Sequence, residues 1–251
     1  MTWSLIARDA GGQFGVAIAS RFFAVGALCV HTRRGVGALS TQALLNPLYG
    51  PAGIERLADG TPVEEIVARL TGADEGREQR QLHLIGAAGR GAAWTGAECV
   101  DWCGHQVHDD FSVAGNMLVG PGVLDATAAA FVASAGRPLA ERLIAAMQAG
   151  EAAGGDKRGK QAAALRLHAG EDYPSLDIRV DDHADPLREL QRLYGVSLER
   201  FQPFVACLAG RSDPVGLLHR DDIEARIAGF TAARSSASPA VTSSTLSEPS
   251  R

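Results

Sequence analysis

Long apolar runs are absent: no stretch approaches the roughly eighteen consecutive apolar residues that a membrane-crossing helix needs, and no membrane partner is expected. Charge blocks are absent too. The 24 basic and 29 acidic residues are interspersed, giving a formal net charge of −5. No run of about five or six like charges marks a surface for nucleic acid or anionic lipid, so polyanionic partners are disfavoured. Cysteine is scarce. Four residues (Cys29, Cys99, Cys103, Cys207) in 251 do not make the disulfide framework of a small secreted domain, and reduced, mostly buried thiols are expected. Residues Met1 to Asp9 lack the charged and apolar blocks of a secretory signal, so a cytoplasmic location is expected.

What is present is apolar material, 46% of the residues, enough for one large core. Residues 2–8 and 14–20 read as strands joined by a turn at Asp9-Ala10-Gly11-Gly12. Side chains alternate along a strand, so Trp3, Leu5 and Ala7 share one face and Thr2, Ser4, Ile6 and Arg8 the other. Residues 27–31 and 36–41, joined by Thr32-Arg33-Arg34-Gly35, suggest a second antiparallel pair. A short helix is expected at 51–57. Another follows Thr61-Pro62-Val63-Glu64, which has the pattern of a capping box with proline at the first helical position. Val63, Ile66, Val67 and Leu70 form its apolar stripe. Strands return at 81–87, 92–95 and 111–118, helices at 123–133 and 138–149, strands at 162–168 and 176–180. A last helix opens at Asp185-Pro186 with Leu187, Leu190 and Leu193 inward.

Consecutive strands joined by tight turns, with helices arriving in pairs, fit an α+β class: a four-layer αββα sandwich of two antiparallel sheets flanked by helices. This domain is expected to span 1–195, with a partly helical extension over 196–230. Residues 231–251, rich in Ser, Ala, Thr and Pro, read as a disordered tail.

Several motifs occur in one order: Met1-Thr2 through Arg8-Asp9, Val16 to Phe22 with Val25-Gly26, Gly37 then Thr41-Gln42, and Asn46 to Gly50. They continue with Cys99, Trp102 and Gly104-His105, Gly115-Asn116, Gly154-Gly155-Asp156 with Arg158-Gly159 and Gln161, and Arg179-Val180-Asp181-Asp182-His183. Together they resemble the domain of unknown function 1028 family, whose members are placed by fold with the N-terminal-nucleophile (Ntn) hydrolases. The resemblance runs from Met1 to about Gly195. It implies an Ntn-type αββα sandwich that hydrolyses an amide-like bond with the first residue of the processed chain, acting on a small-molecule amide-like substrate.

An N-terminal threonine can activate itself, because an α-amine of pKa about 7.7–8.0 is substantially neutral near physiological pH and takes the hydroxyl proton. Thr2 becomes that residue once Met1 is removed; otherwise it is a β-branched residue opening a strand. Ser4 shares its face and would contact the amine or the substrate, or else bond to backbone. Asn116 after Gly115 would donate to an oxyanion or simply end a strand. Ser20, Thr41, Gln42 and Asn46 follow apolar strands and would line a cleft mouth, although each is also ordinary turn chemistry.

The run Gly154 to Lys160 nearly matches a phosphate-binding loop, but Gln161 stands where Ser or Thr is required and the loop leads from helix to strand, the reverse of the phosphate-binding setting. Nucleotide binding is rejected. Asp156, Arg158 and Gln161 would approach the cleft, Asp156 to orient the amine and Arg158 to hold a substrate carboxylate, or the segment is a surface turn with an ion pair. Cys99, Cys103, His105 and His108 are spaced too tightly for a persuasive zinc site, so neither a metal nor another cofactor is expected. His105 would be a polar contact at the cleft or a satisfied loop histidine. Arg179, Asp181, Asp182 and His183 suggest a structural ion-pair network, and a homodimer is the expected assembly. The alternative to hydrolysis is a non-catalytic small-molecule-binding or scaffold protein on the same fold.

Overall fold

The computed structural model describes residues 2–237, and the chain divides after Gly195 into two compact units. The first opens with the hairpin β1 (Thr2–Arg8) and β2 (Phe14–Ser20), a single helical turn α1 (Gly26–Cys29), and the pair β3 (Val30–Arg33) and β4 (Gly37–Ala43). Helices α2 (Tyr49–Ala58) and α3 (Val63–Gly72) lead to β5 (Arg80–Gly86), β6 (Gly91–Thr95), β7 (Trp102–His108) and β8 (Phe111–Leu118). Then come α4 (Gly122–Ala133), α5 (Leu139–Ala152), β9 (Ala162–His168), β10 (Leu176–Val180) and α6 (Pro186–Ser197). The second unit holds α7 (Phe201–Val205) and α8 (Arg220–Ala237), bridged by an Arg200–Glu224 ion pair.

The strands form two antiparallel sheets, one ordered β10-β9-β2-β1-β8-β7 and the other β3-β4-β5-β6. They lie face to face, since β1 and β8 pack against β4 and β5. Helices α4 and α5 cover the outer side of the larger sheet, α2 and α3 the outer side of the smaller. Strand alternation decides which side chains go where. In β5, Leu82 and Leu84 join Leu39, Ile66, Val67 and Leu70 under the helices, whereas Gln81 and His83 point between the sheets. In β1, Thr2 and Ser4 point between the sheets, so Trp3, Leu5 and Ala7 take the side under α4 and α5. Each buried leucine or isoleucine there contributes roughly 1.5–3 kcal/mol. Helix α5 lies so close to β2 that a Cβ on Gly15 would come 2.5 Å from Leu143 Cδ1 and push that methyl aside.

Four expectations need correction. The strand expected at 27–31 starts only at Val30, because Ala24 (φ 51°) turns the chain and Ala27 N bonds Ala24 O at 2.9 Å, winding 26–29 into a helical turn. The capping box before α3 does not form: Pro62 itself stands at the cap, Thr61 N bonds Arg56 O, and Glu64 reaches Arg90. Strand β7 has no counterpart in the sequence reading, as an edge strand with polar and half-exposed side chains carries no clear alternation. Residues 231–237, expected in the tail, are the last turns of α8, where alanine and arginine sustain the helix. The remainder of that tail, 238–251, lies outside the described residues.

Candidate functional site at the start of the first strand

Thr2 begins β1 with Ser20 opposite it on one neighbour and Asn116 on the other. It is buried, and its hydroxyl donates to Ser20 Oγ at 3.2 Å. Its carbonyl oxygen takes the side-chain amides of Gln42 and Asn116, each at 3.4 Å. The structure therefore brings together four residues singled out in the sequence, Thr2, Ser20, Gln42 and Asn116.

Behind them runs a chain of buried polar groups that the sequence reading missed, built on Gln81, His83 and Ser112. Its polarity follows from two backbone carbonyls. Gly115 O and Gly104 O lie 2.9 and 3.0 Å from one end of the Gln81 amide, so that end is the NH2 group. Gln81 Oε1 then accepts from Gln42 Nε2 at 2.7 Å and Asn116 Nδ2 at 3.0 Å. That leaves Gln42 Oε1 to accept the Ser4 hydroxyl at 2.7 Å. Ser4 has one proton and has spent it, so His83 Nε2, 2.7 Å away, must donate to Ser4, and His83 Nδ1 accepts from Ser112 Oγ at 2.9 Å. Complete burial pushes the His83 pKa down to about 3, consistent with one ring proton at neutral pH. At the other end Gln81 Nε2 lies 2.8 Å from Thr95 Oγ1, which shares a hydrogen bond with His105 Nδ1, also at 2.8 Å. The hydrogen bonds thus run one way from Ser112 to the Gln81 amide, and Thr95 continues the chain to His105 on the exposed strand β7.

This assigns several expected site residues a different place. Ser4 is an internal link, its proton committed to Gln42. Asn116 directs its amide at Gln81 and Thr2 rather than at a ligand. Thr41 faces the helical side of β4 and donates to Asn46 O at 3.2 Å. Asn46 belongs to another cluster, where it and Tyr49 donate to Asp74 at 3.0 and 2.8 Å, with Arg80 at 3.2 Å. The Asn46 bond comes first among those that hold the Asp74 carboxyl well below the usual range, and burial with the Asp74 bond raises Tyr49. His105 sits at the outer end of the polar chain, its pKa lowered by burial.

Asp156 is tied to the segment that follows β2. Its carboxylate accepts Arg21 N and Arg158 N, both at 2.8 Å, and pairs with the Arg158 guanidinium at 3.3 Å. It bridges to Leu118 at the end of β8, and Lys157 pairs with Asp101. The loop that carries it runs from α5 into β9 with Gly154, Gly155 and Gly159 at φ 118°, 50° and 103°, conformations that favour glycine. Gln161 turns away to donate to Asp182 at 3.2 Å. Cys103 Sγ reaches Cys99 O while His108 stacks on Phe111, and among the described residues no group of three His, Cys, Asp or Glu is arranged to hold a metal ion. Burial pushes the Cys99 thiol up to about 11.

Strain concentrates at the same end of the strands. Ala24, Ala43, Asp101 and Met117, which follow β2, end β4, precede β7 and adjoin Asn116, all have left-handed backbone angles between 51° and 69°. Such non-glycine conformations persist where the surroundings enforce them, commonly at working sites. Phe22, Phe23, Leu44, Leu48, Val100 and Val119, in the segments flanking these strand ends, are exposed.

Fold and site together define a mixed α+β protein with two antiparallel sheets, flanking helices and a buried polar site at one end of the strands. The chain belongs to the family of unknown function DUF1028, whose model matches residues 2–190. It is similar to the crystal structure of protein SPO2555 from Silicibacter pomeroyi, of the same family model. Identity is 30% over 87% of this chain and 96% of that one, with a TM-score of 0.81. A slighter likeness, at 12% identity and a TM-score of 0.38, is to Anbu (ancestral beta-subunit) from Yersinia bercovieri, covering 78% of this chain and 94% of that one. No curated protein matches the chain. No helix among the described residues is long and apolar enough to cross a membrane.

Proposed function

We propose that this protein is an Ntn-type hydrolase of small amide-like substrates, with Thr2 as nucleophile after Met1 is removed. The observation that carries the reading is the setting of Thr2: the first residue of an inner strand, its hydroxyl on Ser20 and its carbonyl between two buried amides, at the strand ends where strained turns gather. The helix-sheet-sheet-helix layering supports it. In the reaction Thr2 Oγ attacks the substrate carbonyl, and the Thr2 amine takes the hydroxyl proton and passes it to the departing amine. Water then cleaves the ester, returning the hydroxyl. The test is the intact mass of the purified protein followed by turnover of a panel of amides and ureides. Met1 should be absent, Thr2→Ala should abolish turnover with the fold retained, and Thr2→Ser should keep part of it. Retained Met1, or turnover surviving Thr2→Ala, overturns the reading.

One observation favours a non-catalytic binding role instead. The Asn116 amide is spent on Gln81 and Thr2, so it is not aimed at an oxyanion. Tight binding of a panel amide without turnover would select that role.

A further inference from the structure

We infer that Gln81 is a positioning residue for Thr2, acting through Gln42 and Asn116; this rests on the reading of Thr2 as nucleophile. The Gln42 amide nitrogen has two hydrogens and two acceptors, Gln81 Oε1 at 2.7 Å and Thr2 O at 3.4 Å. Asn116 repeats the arrangement, with Gln81 Oε1 at 3.0 Å and Thr2 O at 3.4 Å. Two oxygens, one on Gln81 and one on Thr2, therefore face each other across the same pair of NH2 groups. The bonds to Thr2 are long and weak; the bonds to Gln81 are short and set where the amides sit.

Gln81 is itself locked. Its NH2 group meets Thr95 Oγ1, Gly115 O and Gly104 O within 3.0 Å. Turning the amide over would set its oxygen against two carbonyls and its NH2 against the NH2 groups of Gln42 and Asn116. Gln81 is fully buried, so no water replaces a lost partner, and it lies on the sheet opposite β1. The carbonyl of Thr2 thus meets two amides, on β4 and β8, whose positions are both set by Gln81 on the second sheet.

Two variants separate this role from a merely structural one. Gln81→Met removes the polarity at similar volume. Gln81→Glu, kept protonated by burial at low pH, retains a carbonyl oxygen for Gln42 and Asn116 and a hydroxyl for Gly115 O; once ionised it opposes both backbone carbonyls. The probe is an apolar β-lactone on the full chain lacking Met1. Thr2 Oγ attacks the lactone carbonyl, the acyl–oxygen ring bond breaks, and the proton passes through the Thr2 amine to the released alkoxide, leaving an ester on Thr2 and a free hydroxyl on the probe.

The acylation rate should fall ten- to a hundredfold in Gln81→Met. In Gln81→Glu it should stay within about threefold of the unaltered protein at pH 5, and the ratio of the two rates should fall as pH rises. A folded Gln81→Met that reacts at the unaltered rate overturns the inference and leaves the nucleophile reading standing. If Gln81→Met does not fold, a rate ratio for Gln81→Glu that stays flat from pH 5 to 8 overturns it. If the unaltered protein retains Met1 or is not acylated at Thr2, the nucleophile reading fails. The Thr2 carbonyl 13C and Trp3 amide 15N shifts then decide the positioning: displacement in Gln81→Glu between pH 5 and 8 supports it, and shifts matching the unaltered protein throughout overturn it.

Discussion

The layer between the large sheet and helices α4 and α5 and the layer between the two sheets are built by opposite rules. Under the helices, Leu5, Leu124, Leu143, Ile144 and Met147 pack without directional bonds, and any side chain of the right size and shape would serve. Between the sheets, Ser4, Gln42, Gln81, His83 and Ser112 are as deeply buried but are joined by bonds whose donors and acceptors fit in one sense. The first layer supplies stability; the second supplies a single arrangement, at the end of the strands where Thr2 sits.

The contrast can be broken from either side. The largest loss is expected from Leu143→Ala, which empties a fully buried site against Gly15: about 2–5 kcal/mol, read from the denaturant midpoint, with side-chain amide signals of Gln42 and Asn116 unmoved. Ser4→Ala removes one hydroxyl yet strands both Gln42 Oε1 and the His83 ring proton, and should cost roughly 1–3 kcal/mol while displacing those same signals.

Acid sharpens the comparison. The His83 pKa falls from 6.5 to about 3 on folding, so between these values the unfolded chain binds the proton and the folded one does not. Stability from this group is present above pH 6.5 and is lost as pH drops toward 3, at up to roughly 1.4 kcal/mol per pH unit. Denaturation measured from pH 7 to 4 should give a shallower slope for His83→Gln than for the unaltered protein; equal slopes would refute the assignment. The smallest effect is expected at Ser40, buried in the same inter-sheet layer with a hydroxyl that has no hydrogen-bond partner. Ser40→Ala should leave stability within about 0.5 kcal/mol or raise it, unlike Ser4→Ala.

Most strands and helices of the first unit were legible because apolar residues recur at two or at three and four, and the shared face of Thr2 and Ser4 followed from alternation alone. Alternation does not say which face is buried. Gln81 and His83 flank Leu82 as solvent-facing residues of an outer strand would, and only the second sheet makes theirs an inside face. Thr41 and Gln42 were both expected at the cleft mouth as polar residues that follow an apolar strand, but neighbours on a strand point opposite ways. Strand β7, which brings Gly104 O to Gln81, gave no signal because its polar, half-exposed side chains lack a period.

Thr2 and Asn116 are 114 positions apart, and Asp156 lies further still. At a synthesis rate of about 5–20 residues per second, the start of β1 emerges on the order of ten seconds before β8 can pair with it. Through that interval its first residue is open to any enzyme; afterwards it is buried. On the proposed reading of Thr2 as nucleophile, removal of Met1 is expected within that interval, before β8 pairs beside Thr2, so that the order of synthesis enters the maturation of the site.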